Sequence, residues 1–318
     1  MKTVYRAFFI ENGASLITLV SNHVEKHELS ATEQGELVPN KLWTAKIKHC
    51  VNVVEAPQAR RLVATDTSGR HFGICSATGE ILWQSKAIGE GDPGVIFEDR
   101  AKPTGSEEVF VFVTWPGVLQ RLFPDSGKDA AQPVKLSSKL RGLQVISDDQ
   151  RLFITGLVPA QSDSDPVGEN LNLLDYSTNE LIEVASNTFS MGIKVSPSGE
   201  TALFVYLAEG ASGLRSGRSE RWEIKDIQSG MKLCERTFKP GEFFSYDAVW
   251  SPDSQFIAAR NSKRDGHLIL TANTLETVAL IEGRNTERPA FNPQGTHICL
   301  CRADNTAILP IDTLISRH

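Results

Sequence analysis

Apolar segments along this chain are short and follow the period of a β-strand. Nearly all of them are about five to eight residues long, are rich in Val, Ile, Leu and Phe, and are bounded by Gly, Pro, Asn, Asp or Ser. Short apolar or alternating runs between turn residues predict strands rather than helices. The chain is therefore expected to be all-β.

The predicted strands recur as a phrase that consists of an apolar strand, a turn and a second strand. The clearest copies are 245–259, which turns at Pro252, and 288–301, which turns at Pro293. Further copies, weaker in two cases, lie at 5–19, 51–63, 94–113, 143–154 and 192–205. The turns of the seven copies are centred on Asn12, Pro57, Thr104, Asp148, Pro197, Pro252 and Pro293.

Seven repeats of this length account for the whole chain of 318 residues. A propeller blade of four strands takes about 40–50 residues. The spacing therefore predicts one domain, a seven-bladed β-propeller with four-stranded antiparallel blades. The expected blades are approximately 3–45, 48–87, 93–138, 141–186, 189–238, 244–283 and 287–315.

The strand and turn phrases resemble those of WD-repeat and YVTN-type β-propellers. A second phrase, Ala77-Thr-Gly-Glu-Ile-Leu-Trp83, is similar to the docking motif of quinoprotein-like propellers. The resemblance is degenerate, because Leu174-Asp175 and Lys225-Asp226 stand where the Trp-Asp dipeptide of a good WD repeat would be. It covers the full length of the chain and implies the propeller fold.

The last repeat is one strand short. Its candidate strands are about 288–291, 297–302 and 306–311, and the N-terminal segment 4–10 already serves as the first strand of the first blade. We therefore predict a three-stranded last blade with the tail 314–318 along its outer edge. Misphasing of one weak repeat is the alternative. An open edge could dock a partner or a second copy of the chain.

Charge and composition exclude several classes of protein. The net charge is −6, from 33 Lys plus Arg against 39 Asp plus Glu, and no block of basic residues suggests a nucleic-acid partner. No apolar run is long enough for a signal peptide or a membrane span. Five scattered cysteines suit free thiols in a reducing compartment. We expect a cytoplasmic protein with no membrane or nucleic-acid partner.

Two residue pairs have the spacing of metal ligands. His23 and His27 would lie about 13 Å apart on a strand, which is too far for one metal ion. Cys299 and Cys301 share one face of a strand, but no further Cys or His pair has zinc-like spacing. We therefore interpret the histidines as surface residues and the cysteines as buried filler, and expect no metal and no cofactor.

Local catalytic motifs are absent from the sequence. No nucleophile elbow, Walker loop or dinucleotide-binding glycine motif occurs. Propeller enzymes gather their active residues from several blades, so this absence leaves enzymatic activity uncertain, although a non-enzymatic role is favoured. The alternatives are a hydrolase that resembles sugar lactonases, with a site in the central channel, and, less favoured, a quinone-dependent enzyme.

Two long connections are the best candidates for a binding surface. They are 158–170 and 208–221, and each joins the second and third strands of its blade, so both should emerge on the same face. Tolerated flexible insertions are the alternative reading. The candidate partner-binding residues on this face are Trp115, Asp163, Asp165, Glu169, Arg215, Arg218 and Arg221. The sequence thus favours a platform for another protein, of an adaptor, immunity or assembly type.

Overall fold

A computed structural model describes the greater part of the chain. The described residues are 4–20, 22–33, 36–56, 59–86, 101–103, 109–113, 118–135, 139–145, 151–157, 169–175, 178, 180–187, 190–207, 219–239, 242, 248–260, 266–283, 288–301 and 306–315. Within them the chain forms antiparallel strands, one 3-10 turn at Glu11–Gly13 and one short helix, α1 (Ile311–Ile315).

The strands follow one another in seven antiparallel meanders, which we number as blades 1 to 7. Blade 1 is β1 (Val4–Ile10), β2 (Ser15–Val20), β3 (His23–Ala31) and β4 (Leu37–Ala45). Blade 2 is β5 (Cys50–Ala56), β6 (Arg61–Asp66), β7 (His71–Cys75) and β8 (Ile81–Gln84). Blade 3 is β9 (Ala101–Pro103), β10 (Val109–Val113), β11 (Val118–Leu122) and β12 (Val134–Lys135).

The second half of the chain continues the same pattern. Blade 4 is β13 (Lys139–Val145), β14 (Arg151–Leu157), β15 (Glu169–Asp175) and β16 (Glu180–Asn187). Blade 5 is β17 (Ser190–Val195), β18 (Thr201–Leu207), β19 (Glu220–Asp226) and β20 (Lys232–Phe238). Blade 6 is β21 (Val249–Trp250), β22 (Phe256–Arg260), β23 (Gly266–Thr271) and β24 (Thr277–Glu282). Blade 7 is β25 (Ala290–Phe291), β26 (His297–Cys301) and β27 (Thr306–Pro310).

The blades stand around a ring with their first strands innermost. First strands of successive blades lie next to one another, as β1 and β5 do, and β25 of the last blade lies beside β1 of the first. Apolar clusters fill the spaces between facing blades, including the space between blades 7 and 1, where Cys299, Cys301 and Ile308 pack against Ala7 and Leu16. Burial of apolar surface between sheets is the main term that holds such a ring together. The predicted β-propeller fold is confirmed.

The last blade has three strands in the described residues, in agreement with the sequence prediction, but the ring closes differently. The chain after β27 forms α1, which packs beside β24 of blade 6, with Ile311 buried in the cluster between blades 6 and 7. The outer side of β27 meets β4 of blade 1, where Ile308 pairs with Leu37. The predicted course along the outer edge is therefore wrong for Leu314 and Ile315, because these side chains pack in the apolar cluster between blades 6 and 7. The rest of the predicted tail, 316–318, lies outside the described residues.

The residues considered as metal ligands lie in ordinary strand positions. His23 and His27 belong to β3, which is the third strand of its blade and nine residues long. His27 Nε2 lies 2.9 Å from Thr18 Oγ1. Cys299 and Cys301 are both buried and carry free thiols. No helix in the described ranges combines the length and apolarity that a membrane crossing would need.

Candidate functional site

Of the seven candidate residues, the structure describes only Arg221 in full. Trp115, Asp163, Asp165, Arg215 and Arg218 lie outside the described residues. The backbone of Glu169 begins β15 and pairs with Leu157 and Asn187.

The strands that flank the two long connections lie in neighbouring blades. The connection before Glu169 joins β14 to β15, and the connection before Glu220 joins β18 to β19, so each links the second and third strands of its blade. Antiparallel strands alternate in direction, and equivalent connections therefore leave the same end of every blade. We call this the loop end. The opposite end, where third and fourth strands are joined, is called the turn end.

Arg221 stands at the loop end in a cluster of charged and aromatic side chains between blades 4 and 5. Its guanidinium lies 5.0 Å from the centre of the Tyr206 ring, and its Nε lies 3.2 Å from Glu223 Oε1. Lys225 Nζ completes the cluster, at 3.3 Å from Glu223 Oε2 and 2.8 Å from Tyr206 Oη. Residues 221, 223 and 225 alternate along β19, so their side chains share one face of the sheet.

Burial changes the proton affinities inside this cluster. Desolvation raises the pKa of Tyr206, and the Glu223 carboxylate adds to this, against the opposing effect of Lys225. Desolvation works against the charge of Lys225, but the hydrogen bond to Tyr206 and the nearby Glu223 raise the pKa of its ammonium above the usual value. Lys225 therefore remains charged at neutral pH. Arg221 is held over the Tyr206 ring with its side chain 37% exposed.

The turn end shows a different arrangement, in which an indole of one blade covers the turn of the next. Trp43 Nε1 on β4 donates to the Ser76 carbonyl at 3.0 Å, and a Cβ added to Gly79 would lie 2.7 Å from the Trp43 ring. Trp83 on β8 repeats this on blade 3, where its Nε1 donates to the Pro124 carbonyl at 2.7 Å. These contacts link blade 1 to blade 2 and blade 2 to blade 3.

Sequence reasoning found one part of each arrangement and missed the rest. It singled out Trp83 through the docking phrase but did not assign Trp43 the same role. It named Arg221 but not its partners, since these come from two strands. The alternation of Arg221, Glu223 and Lys225 was a signal that could have indicated a charged face inside the blade interface.

The described residues contain no group of three or more His, Cys, Asp or Glu side chains placed to hold a metal ion. The cluster at Arg221 has cationic, acidic and phenolic groups that are already paired with one another. Such a cluster can recognise a carboxylate or aromatic group through a fixed arginine, which is a binding role.

Comparison with known proteins places the chain by its fold. It is similar to the β-propeller domain of Cps50 (Swd1) from Myceliophteria thermophila, with a TM-score of 0.65 and 10% identity over 98% of this chain and 97% of that one. It is also similar to the C-terminal WD40 domain of Sif2, with a TM-score of 0.61 and 10% identity over 98% of this chain and 82% of that one. The fold is thus that of the WD40-type β-propellers. No family model and no curated protein matches the sequence.

Proposed function

We propose that this chain is a platform that binds another protein through the loop end of blades 4 and 5. A single observation carries the proposal: Arg221 is fixed on the Tyr206 ring at the start of β19, directly after one of the two long connections. A fold by itself does not assign a function. The propeller supplies the rigid frame, and the arginine with its neighbouring connections supplies the contact.

The proposed mechanism is complementarity over a broad face. A guanidinium that is stacked on a ring and paired with a buried carboxylate loses little conformational freedom when a partner binds. Its remaining N–H groups can form paired hydrogen bonds with a carboxylate. The sequence adds Asp163, Asp165, Glu169, Arg215 and Arg218 to the same connections, and Trp115 to the equivalent turn of blade 3. Adaptor, immunity and assembly roles all use a surface of this kind, and a cytoplasmic location is part of the proposal.

The proposal is tested by affinity capture with the tagged full chain from its native cell. One variant replaces residues 159–167 and 209–217 by short Gly-Ser links, and a second carries Arg221→Gln. We expect a protein that is retained by the wild type to be lost from the first variant and weakened about tenfold by the second, which corresponds to roughly 1.4 kcal/mol for an arginine at the centre of an interface.

Lys128→Gln is the matched control. Lys128 is also an exposed cation, but it lies in the turn between β11 and β12 and therefore at the turn end. Circular dichroism melting curves should show that all variants fold. A partner that binds the loop-shortened variant as well as the wild type would remove the loop end from the proposal.

No observation favours the hydrolase alternative. The described residues of the inner strands include Arg6, whose Nη1 donates 2.7 Å to the Val51 carbonyl, so this inner cation serves the junction of blades 1 and 2. Neither of the two similar structures reported above is named as a hydrolase.

A further inference from the structure

Five of the blades have a β-bulge in the fourth strand. The bulge gives a common reference point from which equivalent residues at the junctions between blades can be compared. In five blades the pairing of the third and fourth strands shifts at the same place, so the fourth strand carries one extra residue, which is a β-bulge. In blades 1, 2 and 5 the residue directly after the bulge contacts the turn of the next blade. In blades 1, 2, 4, 5 and 6 this residue is Trp43, Trp83, Ala185, Cys234 and Ala279.

The turns that receive these side chains are equally comparable. The turns of blades 2, 3, 5 and 6 each close with a backbone bond from the fifth residue to the first, as in Gly79 N to Cys75 O at 2.9 Å and Gly230 N to Asp226 O at 3.0 Å. The fifth residue has a positive φ in all four turns, being Gly79, Gly127, Gly230 and Leu275. The second residue supplies the carbonyl that Trp43 and Trp83 reach, and in blade 5 this residue is Ile227.

Among the described residues, the junction of blades 4 and 5 has no covering side chain. Ala185 stands where blades 1 and 2 have tryptophan, and no atom of the described chain lies within 4 Å of a Cβ added to Gly230. A Cβ added to Gly79 would lie within 2.7 Å of the Trp43 ring, and one added to Gly127 would lie within 2.7 Å of the Trp83 ring. Ile227 and Ala185 both pack against the apolar cluster between blades 4 and 5, so the bottom of the junction is apolar, and no described atom fills the space above Gly230.

The other small residues at this position are compensated within the chain. Cys234 of blade 5 reaches the Ala272 carbonyl with its thiol, and the neighbouring Arg236 donates to the Leu275 carbonyl at 2.7 Å. Next to Ala279 of blade 6, the helix α1 packs in the same cluster. In the described part of the chain, Ala185 has no such substitute.

The edge of the open junction is apolar, as it is at the equivalent Met231 of blade 5, whereas the equivalent positions of blades 1, 2 and 6 are polar. Ile182 is three residues before Ala185 and shares its face of blade 4, because it pairs with Leu173, which packs in the same cluster. The equivalent residues of blades 1, 2 and 6 are Asn40, Glu80 and Glu276. Ile182 is nevertheless 50% exposed, and Met231, on the other side of the turn, is 60% exposed.

We infer that this junction, lined by Ile182, Ala185, Ile227 and Gly230 and called here the open turn, binds a tryptophan side chain of a partner protein. The ring would lie over Gly230 as Trp43 lies over Gly79, and its N–H would donate to the Ile227 carbonyl. The open turn is at the turn end, so this interaction is separate from the one proposed at the loop end and does not depend on it.

The negative charge at the open turn favours a partner segment that carries lysine or arginine. The turn itself carries one charged side chain, Asp226, whose Oδ1 accepts from the backbone N–H and the hydroxyl of Ser229 at 2.7 and 2.6 Å. The adjacent cation Lys225 is neutralised by Glu223. A lysine or arginine beside the partner's tryptophan would therefore face the carboxylate of Asp226, which is complementary in charge.

The test uses the full chain and the synthetic peptide acetyl-Lys-Trp-Lys-amide with a 5-fluoroindole ring, followed by fluorine NMR. We expect saturable binding, about millimolar for so small a ligand. The N-methylindole peptide should bind roughly 3- to 10-fold more weakly because it cannot donate to Ile227. Acetyl-Glu-Trp-Glu-amide should also bind more weakly.

A variant that rebuilds the contact between Trp43 and Ser76 at the open turn gives the sharpest test. The double variant Ala185→Trp with Ile227→Ser reproduces the pair formed by Trp43 and Ser76, so its own indole should cover the turn and abolish peptide binding. The control is Leu181→Trp with Ile227→Ser, which adds tryptophan on the opposite face of the same strand and should still bind. Ile182→Glu, the residue found at positions 80 and 276, should weaken binding about tenfold without rebuilding the junction.

Two outcomes would contradict the inference. Binding that survives both the double variant Ala185→Trp with Ile227→Ser and Ile182→Glu, or no binding of any tryptophan peptide to the folded wild type, would overturn the inference. Equal binding of the N-methylindole peptide would remove the hydrogen bond to Ile227 and contradict the proposed pose. None of these outcomes bears on the loop end, which is tested with Arg221→Gln.

Discussion

Leu37 of the first blade pairs with Ile308 of the last, and at this pair the two ends of the chain join one sheet. Most of β4 belongs to blade 1 through β3, but its first residue reaches across to β27. The start of β4 thereby lies where a fourth strand of blade 7 would begin to pair with β27. The ring is thus closed by this strand pair together with the apolar cluster between blades 7 and 1.

Leu37→Asp should loosen this closure. Leu37 packs in the cluster between blades 7 and 1, and a carboxylate there costs about 1–3 kcal/mol in lost apolar contact and desolvation. We expect a lower melting temperature and faster amide hydrogen exchange in β27. Val38→Asp is the control, because Val38 is 42% exposed and should tolerate the same substitution. Equal effects of the two would show that the pair does not close the ring.

Gly73→Ala should strongly lower the free energy of unfolding, although Gly73 lies in an ordinary strand. Its Cβ would collide with the indole of Trp83, which would have to leave the turn of blade 3. Overpacking of this kind costs about 1–3 kcal/mol in the free energy of unfolding, measured with denaturant. Gly192→Ala is the matched control, since no described atom lies within 4 Å of the added Cβ. In a Trp83→Ala background, the penalty at Gly73 should disappear.

Glu11 and Glu55 should contribute to acid stability with opposite signs. Hydrogen bonds from Lys26 and Ser15 outweigh desolvation and lower the pKa of Glu11 below its usual 4.5, so its stabilisation is present above pH 4.5 and is lost as the pH falls through the lowered value. Burial, together with the nearby Glu11, raises the pKa of Glu55, so its ionised form opposes folding at neutral pH.

The two carboxylates can be separated by amide substitution. Glu11→Gln should lower the free energy of unfolding at pH 7 and lose this difference at acid pH, whereas Glu55→Gln should raise it at pH 7, with the gain shrinking as the pH falls through the raised pKa. Denaturant curves between pH 3 and pH 8 would measure this, with the exposed Glu180→Gln as control. The same sign for both variants would contradict the assignment.

Tyr206→Phe should lower the pKa of Lys225. The phenol oxygen accepts from Lys225 Nζ at 2.8 Å and helps to keep the ammonium charged against desolvation. Its loss should cost about 1 kcal/mol in stability. NMR titration of the lysine side chain measures the first effect and denaturant unfolding the second. Tyr5→Phe is the control, because it removes a phenol that donates to the Cys50 carbonyl at another blade junction and leaves the Lys225 contact in place. An unchanged pKa of Lys225 in the Tyr206 variant would exclude the coupling.

The repeat could be predicted from the sequence because every blade has the same pattern of short apolar strands and turn residues. Strand alternation and turns such as Ala77 to Glu80 are properties of neighbouring residues, and they predicted the propeller and its three-stranded last blade. The Trp43 contact was not readable, since Ser76 and Gly79 belong to another blade and nothing local to Trp43 differs from an ordinary core tryptophan. The closure at Leu37 was missed for the same reason.

The sequence by itself determined the fold class, the number of repeats and the position of the long connections, because these follow from the period of apolar residues and from turn chemistry. Only the tertiary structure decided which side chains meet between blades: Arg221 with Tyr206, Trp83 with the turn at Gly127, and Ala185 with an uncovered turn. Contacts between blades depend on how sheets face one another, and residues some 40 to 50 positions apart carry no local signal of that packing.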